Sequence, residues 1–276
     1  MTFRGGRLAW IAIAISAASC AELGVPDEDR ARSFGACNGG MVIHPLALPA
    51  AGDGYWIPPL WIARNHVYGT DGLIDLVVGT ARRIAKPGAP RLAVGDLSPA
   101  TGGASLEHHS HQAGRDVDLL YFMTTKDGAA RDNEQMRHLR DDGTTMPGDG
   151  EPAKFDVARN WQLVRALVTA PEAEVQYIFL YEPLSQQLLA YAHDHGEADT
   201  LIARARAVLH QPSDSAKHDD HMHVRIYCSA EDRAAGCVDR GPPPPDDEAD
   251  VRGPDESIVI VRDALRRVPP TAFAGR

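Results

Sequence analysis

His218-Asp219-Asp220-His221-Met222-His223-Val224-Arg225 is the stretch on which the reading of this chain turns. From His221 to Tyr227 polar and apolar residues alternate, and in a strand alternate side chains share a face. His221, His223 and Arg225 therefore point one way, while Met222, Val224 and Ile226 point the other way, into a core. A second window reads His108-His109-Ser110-His111-Gln112-Ala113-Gly114-Arg115-Asp116-Val117-Asp118. It runs into the buried-strand text Asp116 to Phe122, where Asp116 and Asp118 share a face opposite Val117. Six of the twelve histidines fall in these two windows, so two strands can present imidazole and carboxylate to one cleft.

Such a combination suits a metal. Zn²⁺ accepts imidazole nitrogen and carboxylate oxygen, and a catalytic site typically uses three protein ligands with the fourth position open to water. His111, Asp118 and His223 form a two-histidine, one-aspartate set whose charge leaves the metal net positive, able to acidify water and polarise a scissile carbonyl. His221, beside His223 but nearer the open position, is the candidate base, and His108 or His218 can steady an oxyanion. Asp116 is placed to fix an imidazole tautomer. Asp219 and Asp220 read as solvated charges at the rim. The irregular spacing of Cys20, Cys37, Cys228 and Cys237 argues against a four-cysteine zinc site.

Outward from these windows the elements are modest. Asp71 is expected to cap a helix carrying Leu73, Ile74, Leu76, Val77 and Val78, which Pro87-Gly88 stops. Residues 91–94 form a short strand candidate, and Gly102-Gly103 a turn. Lys126 to Ala153 reads as a long surface loop or lid, and Tyr55 to Trp61 as an irregular packing segment. Asp156 can cap a helix over Val157 to Thr169, Val175 to Leu180 is an apolar strand, and helices follow at Leu184–Ala192 and Leu201–Leu209. Residues 258–261 are one more strand candidate. There is no regular β-α-β rhythm and no glycine fingerprint for phosphates or dinucleotides. The chain of 276 residues is acidic, with net charge −10, which disfavours nucleic acid as a partner.

Residues 1–19 have the order of an export signal, with Arg4 and Arg7, a short apolar run and then small residues, and the apolar part is too short to span a bilayer. The text before Cys20 is similar to a lipoprotein cleavage box, so Cys20 is either a lipidated first residue or the product of plain secretion. The expected organisation is a signal over 1–19, a tether over 20–38, one metal-binding domain over 39–245 and an extension over 246–276. Export permits disulfides, and Cys228 with Cys237, which enclose a short loop, is the preferred pair. Cys37 stays open between a free thiol and a bridge to Cys20. Nothing in the sequence sets an oligomeric state.

Gly95-Asp96-Leu97-Ser98, Gly102-Gly103, Ser110-His111-Gln112-x-Gly114-x-Asp116-x-Asp118 and His218-x-x-His221-x-His223-Val224-Arg225 together resemble the penicillin-insensitive murein endopeptidases. These are grouped with the lysostaphin, D-Ala-D-Ala and hedgehog-type metallopeptidases. The resemblance spans roughly residues 35–245. It implies an α+β fold with a small antiparallel sheet, flanking helices and long loops. It also implies Zn²⁺ held by His111, Asp118 and His223, His221 as base, and His108 and His218 as further active-site histidines. Asp116 and Arg225 lie behind the ligands or against substrate, and a disulfide between Cys228 and Cys237 is expected just after the metal-binding strand. The implied reaction is hydrolysis of the D-alanyl to meso-diaminopimelyl cross-link of peptidoglycan, in the periplasm or on the outer face of a bacterial envelope. Rival readings are a zinc D,D-carboxypeptidase or L,D-amidase on cell-wall peptides, and a non-catalytic zinc-dependent peptidoglycan-binding module. Two positions depart from the family pattern. Arg115 stands where an apolar residue is usual and either contacts a substrate carboxylate or is exposed, exposure being slightly favoured, and His109 competes with His108 for the cleft.

Overall fold

The alternating text after Asp220 does form a strand, and its neighbours are set by the rest of the chain, which a computed structural model describes over residues 30–213 and 215–244. The expected signal, Cys20 and residues 258–261 lie outside the described residues. In chain order, β1 (Arg32–Ala36) and β2 (Gly39–Ile43) make an antiparallel hairpin. The two-residue pieces β3 (Leu46–Ala47), β4 (Ala51–Gly52) and β5 (Tyr55–Trp56) precede α1 (Pro59–Arg64), β6 (Tyr68–Gly69), α2 (Asp71–Ile84) and β7 (Leu92–Ala93). Then come β8 (Asp116–Leu120), β9 (Met123–Thr125), β10 (Ala130–Arg131) and β11 (Ala153–Phe155). The remainder is α3 (Val157–Val168), β12 (Val175–Phe179), α4 (Glu182–Asp194), α5 (Asp199–Val208), β13 (Leu209–His210), β14 (His221–Ile226) and α6 (Ala230–Ala234). The fold is mixed α+β, as expected, and no helix among the described residues is long and apolar enough to cross a membrane.

The sheet that matters runs β13-β12-β14-β8. It is antiparallel except at the edge, where β13 pairs parallel with β12. Val117 and Leu119 on β8, Ile178 on β12, and Met222 and Val224 on β14 are fully buried with Leu73, Leu76 and Val77 of α2 and Leu163, Val164 and Leu167 of α3 in one core. Each such side chain contributes about 1.5–3 kcal/mol when buried, so this face fixes the register. In that register His223 stands opposite Asp118 and Arg225 opposite Asp116. Two residues chosen by one strand's alternation thereby meet two chosen by the other's.

Several expectations are corrected. The cap of α2 is Thr70, whose extended backbone lets Oγ1 accept from Leu73 N at 3.4 Å, while Asp71 is the first helical residue, where a carboxylate suits the positive end of the helix. The tether expected over 20–38 does not extend to residue 38. Arg32–Ala36 pairs with β2, and Gly35 exchanges backbone hydrogen bonds with Gly236 and Val238. The hairpin needs Gly35 at φ +72°, because a Cβ there would lie 2.6 Å from Gly39 O. The Tyr55 to Trp61 segment supplies β5 and the start of α1 rather than remaining irregular.

Arg115 is not exposed. It is buried, its Nε donating to Ser33 Oγ, Nη1 to Ile226 O and Asp239 Oδ1, and Nη2 to Val238 O, all at 2.9–3.1 Å. It ties β1, the end of β14 and the segment after the Cys228–Cys237 disulfide into one unit. The segment from Lys126 to Ala153 is likewise fastened. It contributes β10 and reaches β11 on either side of a buried Leu139, whose N–H donates to Asp219 O at 2.9 Å, and Tyr181 Oη donates to Asp141.

Candidate active site

Asp118 is the hub of the cleft. Its Oδ1 lies 3.2 Å from Nε2 of His111, 3.3 Å from Nε2 of His221 and 3.5 Å from Nδ1 of His223, and its Oδ2 lies 3.9 Å from Nε2 of His108. None of these approaches is aligned as a hydrogen bond to Asp118, whose two oxygens are buried without a partner, as is Nε2 of His111. His218 completes the group, its ring stacked 5.7 Å from Phe179 and edge-on to His221 and His223 at 5.3 and 5.6 Å. The structure thus brings together His108, His111, His218, His221, His223, Asp116 and Asp118. His108, not His109, is the one turned inward: its ring sits 4.3 Å from that of His111, whereas His109 is exposed.

The rings are held from behind. His111 Nδ1 donates to Leu97 O at 3.0 Å, leaving the lone pair of the neutral ring on Nε2 and aimed at Asp118. His223 uses Nε2 on Asp116 Oδ1 at 2.7 Å, which turns Nδ1 toward Asp118. Arg225 Nε donates to the same Asp116 oxygen at 2.7 Å. His221 uses Nδ1 on Asp220 Oδ1, also at 2.7 Å. The backbone at His111 is left-handed, φ 62°, a conformation that few side-chain-bearing residues adopt. Neighbouring turns hold it there. Gly103 N donates to Gln112 O, and Gly102, at φ +65°, must lack a side chain because a Cβ would lie 2.1 Å from that same oxygen.

Charge completes the picture. Burial alone would raise the carboxyl of Asp118, but His111 and His221 beside it hold it well below the usual range. Asp116 is likewise held low against burial, by Arg225 and His223. Burial opposes protonation of His221, yet Asp118 and Asp220 push it up to about 10 as long as no cation offsets the Asp118 charge, while burial and the neighbouring His111 bring His223 down to about 3. Burial and His221 lower His218 to about 4. Without a proton or a cation between them, an imidazole lone pair and carboxylate oxygens at 3.2–3.5 Å repel. The donor set of two imidazole nitrogens and a carboxylate, buried and otherwise unpartnered, therefore fits a divalent metal. Two groups of three side chains, His108-His111-Asp118 and His218-His221-His223, each hold donor atoms within 4.8 Å of one another, and Asp118 joins them.

Two residues gained a role that the sequence reading did not give them. Asp220, expected as a solvated rim charge, has a side chain only 16% exposed and orients His221. Asp96 is fully buried, its Oδ2 accepting from His108 Nε2 at 2.8 Å and pairing with Arg64 at 3.0 Å. The only sequence signal for Asp96 was its place in Gly95-Asp96-Leu97-Ser98. His108, His218, Asp220, His221, His223 and Arg225 line a cleft of about 680 Å³ together with Glu107, Ser110, Phe179, Lys217 and Arg240, and His111, Asp116 and Asp118 lie buried behind them.

The family model described as penicillin-insensitive murein endopeptidase matches residues 33–255. A Haemophilus influenzae protein named penicillin-insensitive murein endopeptidase is 28% identical over 228 residues, covering 81% of this chain and 72% of that protein. One of the same name from Klebsiella pneumoniae is 26% identical over 246 residues, covering 87% of this chain and 83% of that protein. A third, from Escherichia coli, is 26% identical over 250 residues.

Proposed function

The chain belongs to the penicillin-insensitive murein endopeptidase family, and from that premise we propose that it is a zinc-dependent hydrolase of the D-alanyl to meso-diaminopimelyl cross-link in peptidoglycan, working in the cell envelope. The observation that carries the reading is the buried, unpartnered set of His111 Nε2 and both Asp118 oxygens facing His223 Nδ1. His111, Asp118 and His223 would hold the zinc, which when bound supplies Lewis acidity to a water and to the scissile carbonyl.

The remaining steps belong to the chain's own side chains. His221, whose Nε2 opens on the cleft, takes the proton of the attacking water, and Asp220 on its Nδ1 supports the imidazolium so formed. As the carbon–nitrogen bond breaks, His221 returns that proton to the leaving amine. His218, its backbone carbonyl held by Tyr121 Oη at 2.7 Å and by Tyr181 N, and His108, held by Asp96, steady the oxygen of the tetrahedral intermediate. No serine or cysteine nucleophile is needed, which is consistent with insensitivity to penicillin. Lipid attachment at Cys20 remains part of the proposal and is read out by the mass of the mature amino terminus.

Purified cross-linked muropeptide dimers are expected to be converted to monomers by the zinc-loaded protein and to survive when a chelator is present. Mass spectrometry of the products checks this. Release of only terminal D-alanine would move the carboxypeptidase reading ahead, and no turnover by folded, zinc-replete protein would favour the binding module. Asp96→Asn is expected to leave zinc content unchanged and lower turnover about 10–100-fold, because His108 loses its orienting carboxylate. Metal analysis alongside the same dimer assay tests it, and wild-type turnover would remove Asp96 from the mechanism.

A further inference from the structure

We infer that Arg225 recognises a substrate carboxylate, the one borne by the carbon that carries the scissile nitrogen. This rests on the endopeptidase reading and adds to it the group by which the leaving side of the cross-link is recognised. Arg225 and His223 lie two residues apart on the same face of β14, about 7 Å along the strand. A substrate whose scissile carbonyl sits by His223 and Asp118 therefore places the first group beyond its nitrogen next to Arg225.

The guanidinium is built for that contact. Its Nε is fixed on Asp116 Oδ1, and its plane is carried over the Phe179 ring, 5.2 Å from the centroid. Its outer edge, Nη1 and Nη2, has no hydrogen-bond partner among the described residues, while the side chain remains 16% exposed to the cleft. A planar fork immobilised at one edge and open at the other matches a carboxylate in two-point contact, which a flexible ammonium does not. The other cations along the cleft are placed differently. Arg115 uses its Nε and both Nη groups on Ser33, Ile226, Asp239 and Val238, and Lys217 and Arg240 are exposed at the rim. In a D-alanyl to meso-diaminopimelyl cross-link, the carbon bearing the scissile nitrogen also bears a free carboxylate. A scissile bond followed by more peptide, or by a carboxamide, lacks it.

The test uses the zinc-loaded full chain and two cross-linked dimers that differ only in whether that carboxyl is free or amidated. Wild type is expected to favour the free acid by about tenfold or more in kcat/KM, the range of a charge-assisted hydrogen bond. In Arg225→Met that preference falls to about unity, and in Arg225→Lys it is intermediate, because charge is restored without the fork. A purely structural role for Arg225 would slow both dimers alike and keep the ratio, which would overturn the inference. So would a wild type indifferent to amidation. Lys217→Ala and Arg240→Ala, both at exposed positions, guard against variants of Arg225 that fail to fold: retention of the preference in both leaves Arg225 as the reader, and its loss in either assigns it elsewhere. If wild type cleaves neither dimer, the endopeptidase reading itself has failed, an outcome distinct from cleavage without preference.

Discussion

His223→Ala is expected to lose bound zinc and hydrolysis together, whereas His221→Ala keeps its zinc and loses about 10²–10⁴-fold in turnover, the usual contribution of a positioned acid–base group. Distance alone does not separate the two residues, since both rings approach Asp118 Oδ1 at 3.3–3.5 Å. Their settings do. His223 is buried in the sheet opposite Asp118, its Nε2 locked on a carboxylate that Arg225 also neutralises, so that only Nδ1 is left to bind. His221 lies at the open end of β14, against Leu120, with its ring reaching the cleft. Metal analysis of the purified variants together with muropeptide turnover decides the matter, and equal loss of zinc from both would sink the assignment of roles.

Arg115→Ala is expected to destabilise the protein by about 3–5 kcal/mol, the range for removing one partner of a buried ion pair, and to lower the melting temperature by roughly 10 °C. The truncation takes away donors to Ile226 O, Val238 O and Ser33 Oγ and leaves Asp239 with only Cys228 N and the more exposed Arg233. Arg115→Lys recovers little, because one ammonium cannot reach three directions at once. Urea unfolding measures this directly. A change within about 0.5 kcal/mol, as for an ordinary surface residue, would show that the network does not bear on stability.

The contrast between these two sites shows what the sequence carried. Alternation along His221 to Ile226 and Asp116 to Leu120 is a local property, so the faces of His223, Arg225, Asp116 and Asp118 were legible, and burial of Val117, Leu119, Met222 and Val224 made the register follow. Arg115 was misjudged because its partners, Ser33 and Asp239, lie 82 and 124 residues away in sequence. Asp220 was misjudged for a different reason. It precedes β14, where the chain is not yet extended in the sheet, so strand alternation says nothing of its side chain, which folds back onto its neighbour's ring. Asp96 meets His108, and Arg64 at the end of α1 meets Asp96, only through tertiary packing that carries no periodic signal. The disulfide, by contrast, closes a span of 9 residues and was visible as a local pair.

The left-handed backbone at His111 has a consequence for how this position can vary. Glycine suits φ 62° best, and among residues with a side chain asparagine, aspartate and histidine tolerate it, so the local conformational preference favours glycine while the ring that faces Asp118 requires histidine. A library randomised at codon 111 should therefore split under selection. Screened for thermal survival alone it enriches glycine and asparagine, and screened for cell-wall hydrolysis it returns histidine.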